Sequence, residues 1–206
     1  MLPVQFTTYS TEKQSHEESA LIALQSGCRW IQLRIEGPSD AEIKSVALKI
    51  KDACREHDAV FVIADRIGLV QEIEADGIHL DKSDVSVGEA RRILGEGYII
   101  GRNASTLEEI IQCKKQSADY VCCGPFCPDS KEGEGSPTLK IEDYQSFMEG
   151  LEDNGLQIPV CASGCITLET LPQLMGTGIQ GIVISKDVLH SDTPSQSIRS
   201  FLDFTL

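Results

Sequence analysis

Two aspartates stand where a sheet could put them to chemical use. Asp65 follows an apolar, β-branched run at 59–64 (A-V-F-V-I-A), so it sits where a strand ends. Asp84 lies in the loop after a second short apolar segment at 76–80, within the stretch D-R-I-G-L-V-Q-E-I-E-A-D-G-I-H-L-D-K-S-D that spans 65–84. Carboxylates just past the C-terminal ends of neighbouring parallel strands share one rim of an α/β sheet, the rim on which such folds place ligands. Oxygen ligands of this kind suit a hard cation such as Mg2+, which takes one or two carboxylates together with substrate phosphates. Each aspartate also has a plainer role open to it, Asp65 as a helix N-cap and Asp84 as a solvated loop residue.

The elements that must hold these side chains alternate along the whole chain. Apolar runs of strand length fall at 2–8, 28–35, 59–64, 76–80, 98–101, 120–124, 158–162 and 181–185. Helical patterns fall between and after them, at 17–27, 39–57, 66–73, 86–94, 105–117, 141–154, 168–176 and 195–203. Ser39 with Glu42 and Ser105 with Glu108 have the spacing of capping boxes. In the second strand Ile31, Leu33 and Ile35 share one face, and Trp30, Gln32 and Arg34 share the other. Eight strand–helix pairs in 206 residues imply a compact (β/α)8 TIM barrel, one domain over 1–206, and disfavour a doubly wound open sheet. The one long irregular stretch, 125–139, is rich in glycine, proline and charge, as active-site lids on barrel rims are.

Composition narrows the ligands. A net charge of -14 argues against nucleic acid, and a phosphate ligand would require a local basic pocket. No apolar run is long enough to span a membrane and no secretory signal opens the chain. Eight cysteines scattered in or beside strands and helices read as reduced thiols of a cytoplasmic protein. Gathered at the strand ends are Gln32 and Arg34 from strand two, Asn103 after strand five and Lys131 in the loop after strand six. Gly164 follows strand seven in A-S-G-C-I, and Ser185 and Lys186 end strand eight. A glycine after strand seven beside the end of strand eight is the usual barrel phosphate site, where backbone N–H groups meet the anion.

Several stretches carry a resemblance to a known family. Gln32-Leu33-Arg34-Ile35-Glu36 stands for Q-x-R-x-K, Ile63-Ala64-Asp65 for I-N-D, and Ala75 to Asp84 (A-D-G-I-H-L-D-K-S-D) for A-D-G-V-H-L-G-Q-x-D. Ile99-Ile100-Gly101 matches I-I-G, Ala118 to Pro125 matches A-D-Y-V-x-x-G-P, and Ser163-Gly164-Cys165-Ile166 retains the turn after strand seven. In this combination and order the chain resembles the thiamine phosphate synthase family, which includes the related thiazole tautomerases. The resemblance implies a transferase of thiamine biosynthesis that joins hydroxymethylpyrimidine pyrophosphate to thiazole phosphate. It implies Asp65 and Asp84 as holders of Mg2+ and Arg34 and Lys131 as catalytic donors to the leaving group. Gln32, Asn103, Gly164, Ser185 and Lys186 become substrate-binding residues by the same resemblance. The partners are then phosphorylated small molecules, with neither nucleic acid nor membrane, and with a homo-oligomer left open.

The departures from the family pattern cluster on the pyrophosphate half, which reads as degenerate. Glu36 stands in place of a lysine and Ala64 in place of an asparagine. The Ser/Thr after strand five falls at Asn103 and Ala104, and the loop G-P-F-C-P-D-S-K is one residue short if Lys131 is the matching lysine. The strand-eight serine falls at Lys186, with Ser185 one position off, while Lys82 and Arg102 are candidates to restore positive charge. Three readings follow: a synthase, a metal-free thiazole tautomerase, or a paralogue that binds a thiamine-related phosphate without turnover. The tautomerases place a histidine after the strand-six glycine, where this chain has Pro125. His79 reads as a hydrogen-bonded core histidine.

Overall fold

The computed structural model describes residues 3–12, 14–35, 37, 39–127 and 138–205. Eight parallel strands pair in sequence order, and the eighth returns to the first to close a barrel. They are β1 (Val4–Thr7), β2 (Trp30–Leu33), β3 (Val60–Ala64), β4 (Gly77–Leu80), β5 (Ile99–Ala104), β6 (Tyr120–Phe126), β7 (Val160–Gly164) and β8 (Gly181–Ile184). Around them run α1 (His16–Gln25), α2 (Asp40–Glu56), α3 (Ile67–Glu72), α4 (Val87–Leu94) and α5 (Leu107–Lys115). The ring is completed by α6 (Ile141–Asp153), α7 (Leu171–Gly176), α8 (Lys186–Leu189) and α9 (Pro194–Thr205). None of the described helices is long and apolar enough to cross a membrane.

Local chemistry sets the helix starts. Ser15, Ser39, Ser86 and Thr106 each accept a hydrogen bond from the amide three residues on, satisfying a donor that the first turn leaves open. Ser15 with Glu18 and Ser39 with Glu42 complete capping boxes. The fifth helix begins one residue later than the spacing of Ser105 and Glu108 suggests. Thr106 is its cap, and Ser105 instead donates its amide to Glu109.

The period of two along the strands sorts side chains into two cores. Ile31, Leu33, Ile63, Ile78 and Leu80 face outward into the main core with the helices. Trp30, Tyr120 and Cys161 form a separate cluster inside the barrel, flanked by Val60, Ile99 and Val183. Gly101 is required here, because a Cβ would lie 2.1 Å from Cζ of Tyr120. The missing side chain lets the Tyr120 ring lie over β5 and reach His79 on β4.

Two strand ends differ from the sequence pattern in ways that matter for the site. β5 runs on past Gly101, pairing Arg102, Asn103 and Ala104 with Val121, Cys122 and Cys123 of β6. Asn103 is therefore a strand residue rather than one that follows the strand. Likewise Gly164 is the last residue of β7, in register with Phe126, and Lys186 opens α8.

Candidate functional site

At the C-terminal mouth of the barrel a cavity of about 490 Å³ opens between the ends of β2, β4, β5, β6 and β7. Arg34, Asp81, Lys82, Asn103, Ser163 and Gly164 are among its walls. A larger hollow, about 1140 Å³, lies beside α6 and α7 at the opposite end, and none of the strand-end candidates reaches it.

Asp65 emerges from β3 with φ of 65°, a left-handed conformation uncommon outside glycine, and its amide donates to the His79 carbonyl. It does not cap α3: Arg66 holds that position, without a side-chain cap. Its carboxyl instead meets that of Asp84, and its Oδ1 is buried with no hydrogen-bond partner among the described residues. Partial burial, the Asp84 contact and the nearby charges push the Asp65 carboxyl up to about 6, with Arg34 opposing. Asp84 is fixed from its other side, where Oδ2 accepts the Asp81 amide at 2.6 Å. Two adjoining carboxyls, one with an orphaned buried oxygen, are a donor set that suits a hard dication. Among the described residues no third carboxylate, histidine or cysteine joins them as a metal cage. The remaining ligands would then come from solvent or substrate.

Beside this pair the Arg34 guanidinium donates to Asp81, Nη2 to Oδ2 at 3.0 Å. Asp81 Oδ1 accepts the Lys82 amide at 2.6 Å and Asn103 Nδ2 at 3.3 Å. Partial burial works against the charge on Asp81, but these donors outweigh it and hold its carboxyl below the ordinary value.

Behind Asn103 a buried chain of polar groups crosses the barrel. Gln5 Nε2 donates to the Tyr120 hydroxyl at 3.1 Å, and that hydroxyl lies 2.9 Å from His79 Nδ1. His79 Nε2 is 2.8 Å from Asn103 Oδ1. An amide oxygen only accepts, so His79 carries its proton on Nε2 and accepts a hydrogen bond from the Tyr120 hydroxyl at Nδ1. Burial holds His79 down at about 4, in its neutral form. The chain thereby orients the Asn103 amide with its NH2 toward the mouth. Sequence reasoning found His79 as a core histidine but not this wiring, whose only visible trace is the pairing of an inward Tyr120 with Gly101.

The opposite side of the mouth is built from backbone. Gly164 has φ of 129°, and a Cβ there would lie 2.4 Å from the Phe126 carbonyl oxygen. The glycine is therefore demanded by contact between β6 and β7 before any ligand arrives. Next to it the Cys127 and Cys165 sulfurs approach to 2.9 Å. Ser185 donates its hydroxyl to the Thr7 carbonyl at 2.9 Å, tying β8 to β1, and Lys186 is exposed.

Of the residues singled out from the sequence, Arg34, Asn103 and Gly164 line one cavity, and Asp65 and Asp84 meet beside it. Gln32 is buried in the barrel, 3 % exposed. Lys131 and Glu36 lie outside the described residues. Of the two cations that could restore charge, Lys82 lines the mouth cavity, and both are engaged by other groups. Lys82 Nζ binds Glu109 and Ser105, and Arg102 donates to the carbonyls of Val85 and Lys82.

Comparison with known proteins fits this geometry. The chain is 37% identical over 203 residues to the thiamine-phosphate synthase of Bacteroides thetaiotaomicron, covering 98% of this chain and 97% of that protein. It is 41% identical over 200 residues to the thiamine-phosphate synthase of Phocaeicola vulgatus, covering 97% and 96%. The solved thiamine phosphate pyrophosphorylase from Pyrococcus furiosus superposes with a TM-score of 0.86 at 25% identity, covering 100% of this chain and 97% of that one. A family model described as thiamine monophosphate synthase matches residues 4–188. With the family model and these relatives in agreement, the chain belongs to the thiamine monophosphate synthase family.

Proposed function

We propose that this chain is a thiamine phosphate synthase, joining hydroxymethylpyrimidine pyrophosphate to thiazole phosphate and releasing pyrophosphate. The observation that carries the reading is the Asp65–Asp84 pair, whose carboxyls meet beside the mouth cavity with one buried oxygen unpaired. Mg2+ bound there would neutralise the pyrophosphate and ease its departure. Asp65 and Asp84 would hold that ion at the leaving group's end of the site. Arg34 supplies a charge-assisted donor to the departing oxygens as the methylene–oxygen bond breaks and its electron pair leaves with pyrophosphate. The thiazole nitrogen then forms the new bond to the pyrimidine methylene carbon. Asn103, held by His79, offers its NH2 to the pyrophosphate or the ring. Gly164, with Ser185 and Lys186, accommodates the thiazole phosphate, and Lys131 adds a cation.

The tautomerase reading needs an accessible acid–base histidine in the mouth. His79 is 2 % exposed and committed to Tyr120 and Asn103, which disfavours it. Incubation of the purified protein with both substrates and Mg2+ tests the proposal. Thiamine phosphate should appear and stop on adding a chelator; isomerisation of the thiazole without coupling would replace it by the tautomerase reading.

A further inference from the structure

Asp81 has no counterpart in the chemistry so far. Where the family motif A-D-G-V-H-L-G-Q-x-D has a glycine, this chain places a carboxylate in the wall of the mouth cavity. That carboxylate takes up Arg34 Nη2 at 3.0 Å, Asn103 Nδ2 at 3.3 Å and the Lys82 amide at 2.6 Å. Three N–H groups of a guanidinium, an amide side chain and the backbone converge on two oxygens of one anion. A phosphate presents two oxygens of similar spacing and would recruit the same donors. The turn is also closed without this side chain, by the Asp81 amide on the Asp84 carboxylate Oδ2 and the Asp84 amide on the Asp81 carbonyl.

We infer that Asp81 is a built-in occupant of the substrate's anion position, and that its displacement from Arg34 and Asn103 sets the affinity for the pyrophosphate substrate. The identity of that substrate rests on the synthase reading above. Arg34 and Asp81 are 33% and 34% exposed, so their pair is of the kind that exchanges at small cost, and an incoming pyrophosphate wins by its greater charge. Asp81 acts as a positioning and selectivity residue. It keeps the Arg34 donor aligned in the empty site and discriminates against ligands of low charge, such as inorganic phosphate, that compete poorly for the guanidinium.

Calorimetry with inorganic pyrophosphate and Mg2+ tests this without requiring turnover. Asp81→Asn, with Asp81→Gly as the family-like second variant, should bind pyrophosphate about three- to tenfold more tightly than the parent. Inorganic phosphate should gain more than pyrophosphate does, narrowing the preference between the two anions. In an Arg34→Gln background the gain from Asp81→Asn should shrink to less than half, because only Asn103 and the Lys82 amide remain to be competed for. An equal gain in both backgrounds would reduce Asp81 to simple repulsion and overturn the inference, as would unchanged or weaker binding by folded variants. In turnover, the Asp81 variants should lower KM for the pyrophosphate substrate and leave that for thiazole phosphate unchanged. Tighter binding by an enzyme that makes no thiamine phosphate would sink the synthase reading and keep this one. Normal turnover with unchanged binding would do the reverse.

Discussion

The two sides of the barrel mouth are made of different materials. The side formed by β2 to β5 is a mesh of side chains: Asp65 on Asp84, Arg34 on Asp81, Asp81 on Asn103, and Asn103 on His79. The side formed by β6 to β8 is mostly backbone, with Gly164 pressed against Phe126 and Ser185 bound to the Thr7 carbonyl. Charge chemistry is concentrated on the first side and shape on the second. Substitutions should therefore fail in different ways, by rewiring on one side and by steric loss on the other.

The largest effect belongs to the backbone side. Gly164→Val combines a strained positive φ with a Cβ driven into the Phe126 backbone. Its cost is about 3 kcal/mol, which lowers the melting temperature by roughly 6–12 °C and weakens both substrates together. A variant that melts like the parent and loses only thiazole phosphate would make the glycine a ligand contact alone and erase the contrast.

Next comes the wiring of the side-chain half. His79→Leu strands the Tyr120 hydroxyl and the Asn103 carbonyl oxygen, costing about 1–3 kcal/mol by chemical denaturation. The pH dependence gives a finer test. Because burial holds His79 at about 4, below its unfolded value, its contribution is complete above that unfolded value and fades as pH falls toward 4. The leucine variant should lack this acid-side loss. An unchanged acid profile would show that the chain across the barrel does not act as a unit.

The smallest effect has the opposite sign. Asp65 sits at about 6, above its unfolded value, so the stability tied to its protonated form is full in acid and lost as pH rises through 6. Asp65→Asn should gain about 1 kcal/mol at pH 7.5, a modest figure because the group is half-exposed, and the gain should vanish near pH 4. Equal stability of the two proteins at both pH values would separate Asp65 from Asp84 and blunt the comparison.

Much of this was legible in the residues. Apolar alternation and helix caps pointed to the barrel, and strand parity put Trp30, Gln32 and Arg34 on its inner face. The ends slipped where local signals misled. Arg102 and Asn103 are polar and read as loop, yet tertiary pairing with β6 keeps them extended. Ser105 and Thr106 both have an acid three residues on, and only the fold decides between them. The role of Asp81 was hidden for another reason. Its neighbours in the mouth, Arg34 and Asn103, are 47 and 22 residues away in the chain, a distance that only barrel closure removes.

Asp65 and Asp84 are proposed to hold Mg2+ together against a pyrophosphate, and calorimetry tests this most directly. Mg2+ should bind the parent weakly alone and far better with pyrophosphate present, because the ion gives up its waters reluctantly and needs substrate oxygens to complete its shell. The Asp65→Ala, Asp84→Ala double variant should lose the pyrophosphate-dependent binding altogether while remaining folded. Equal binding by the double variant and the parent would contradict the account.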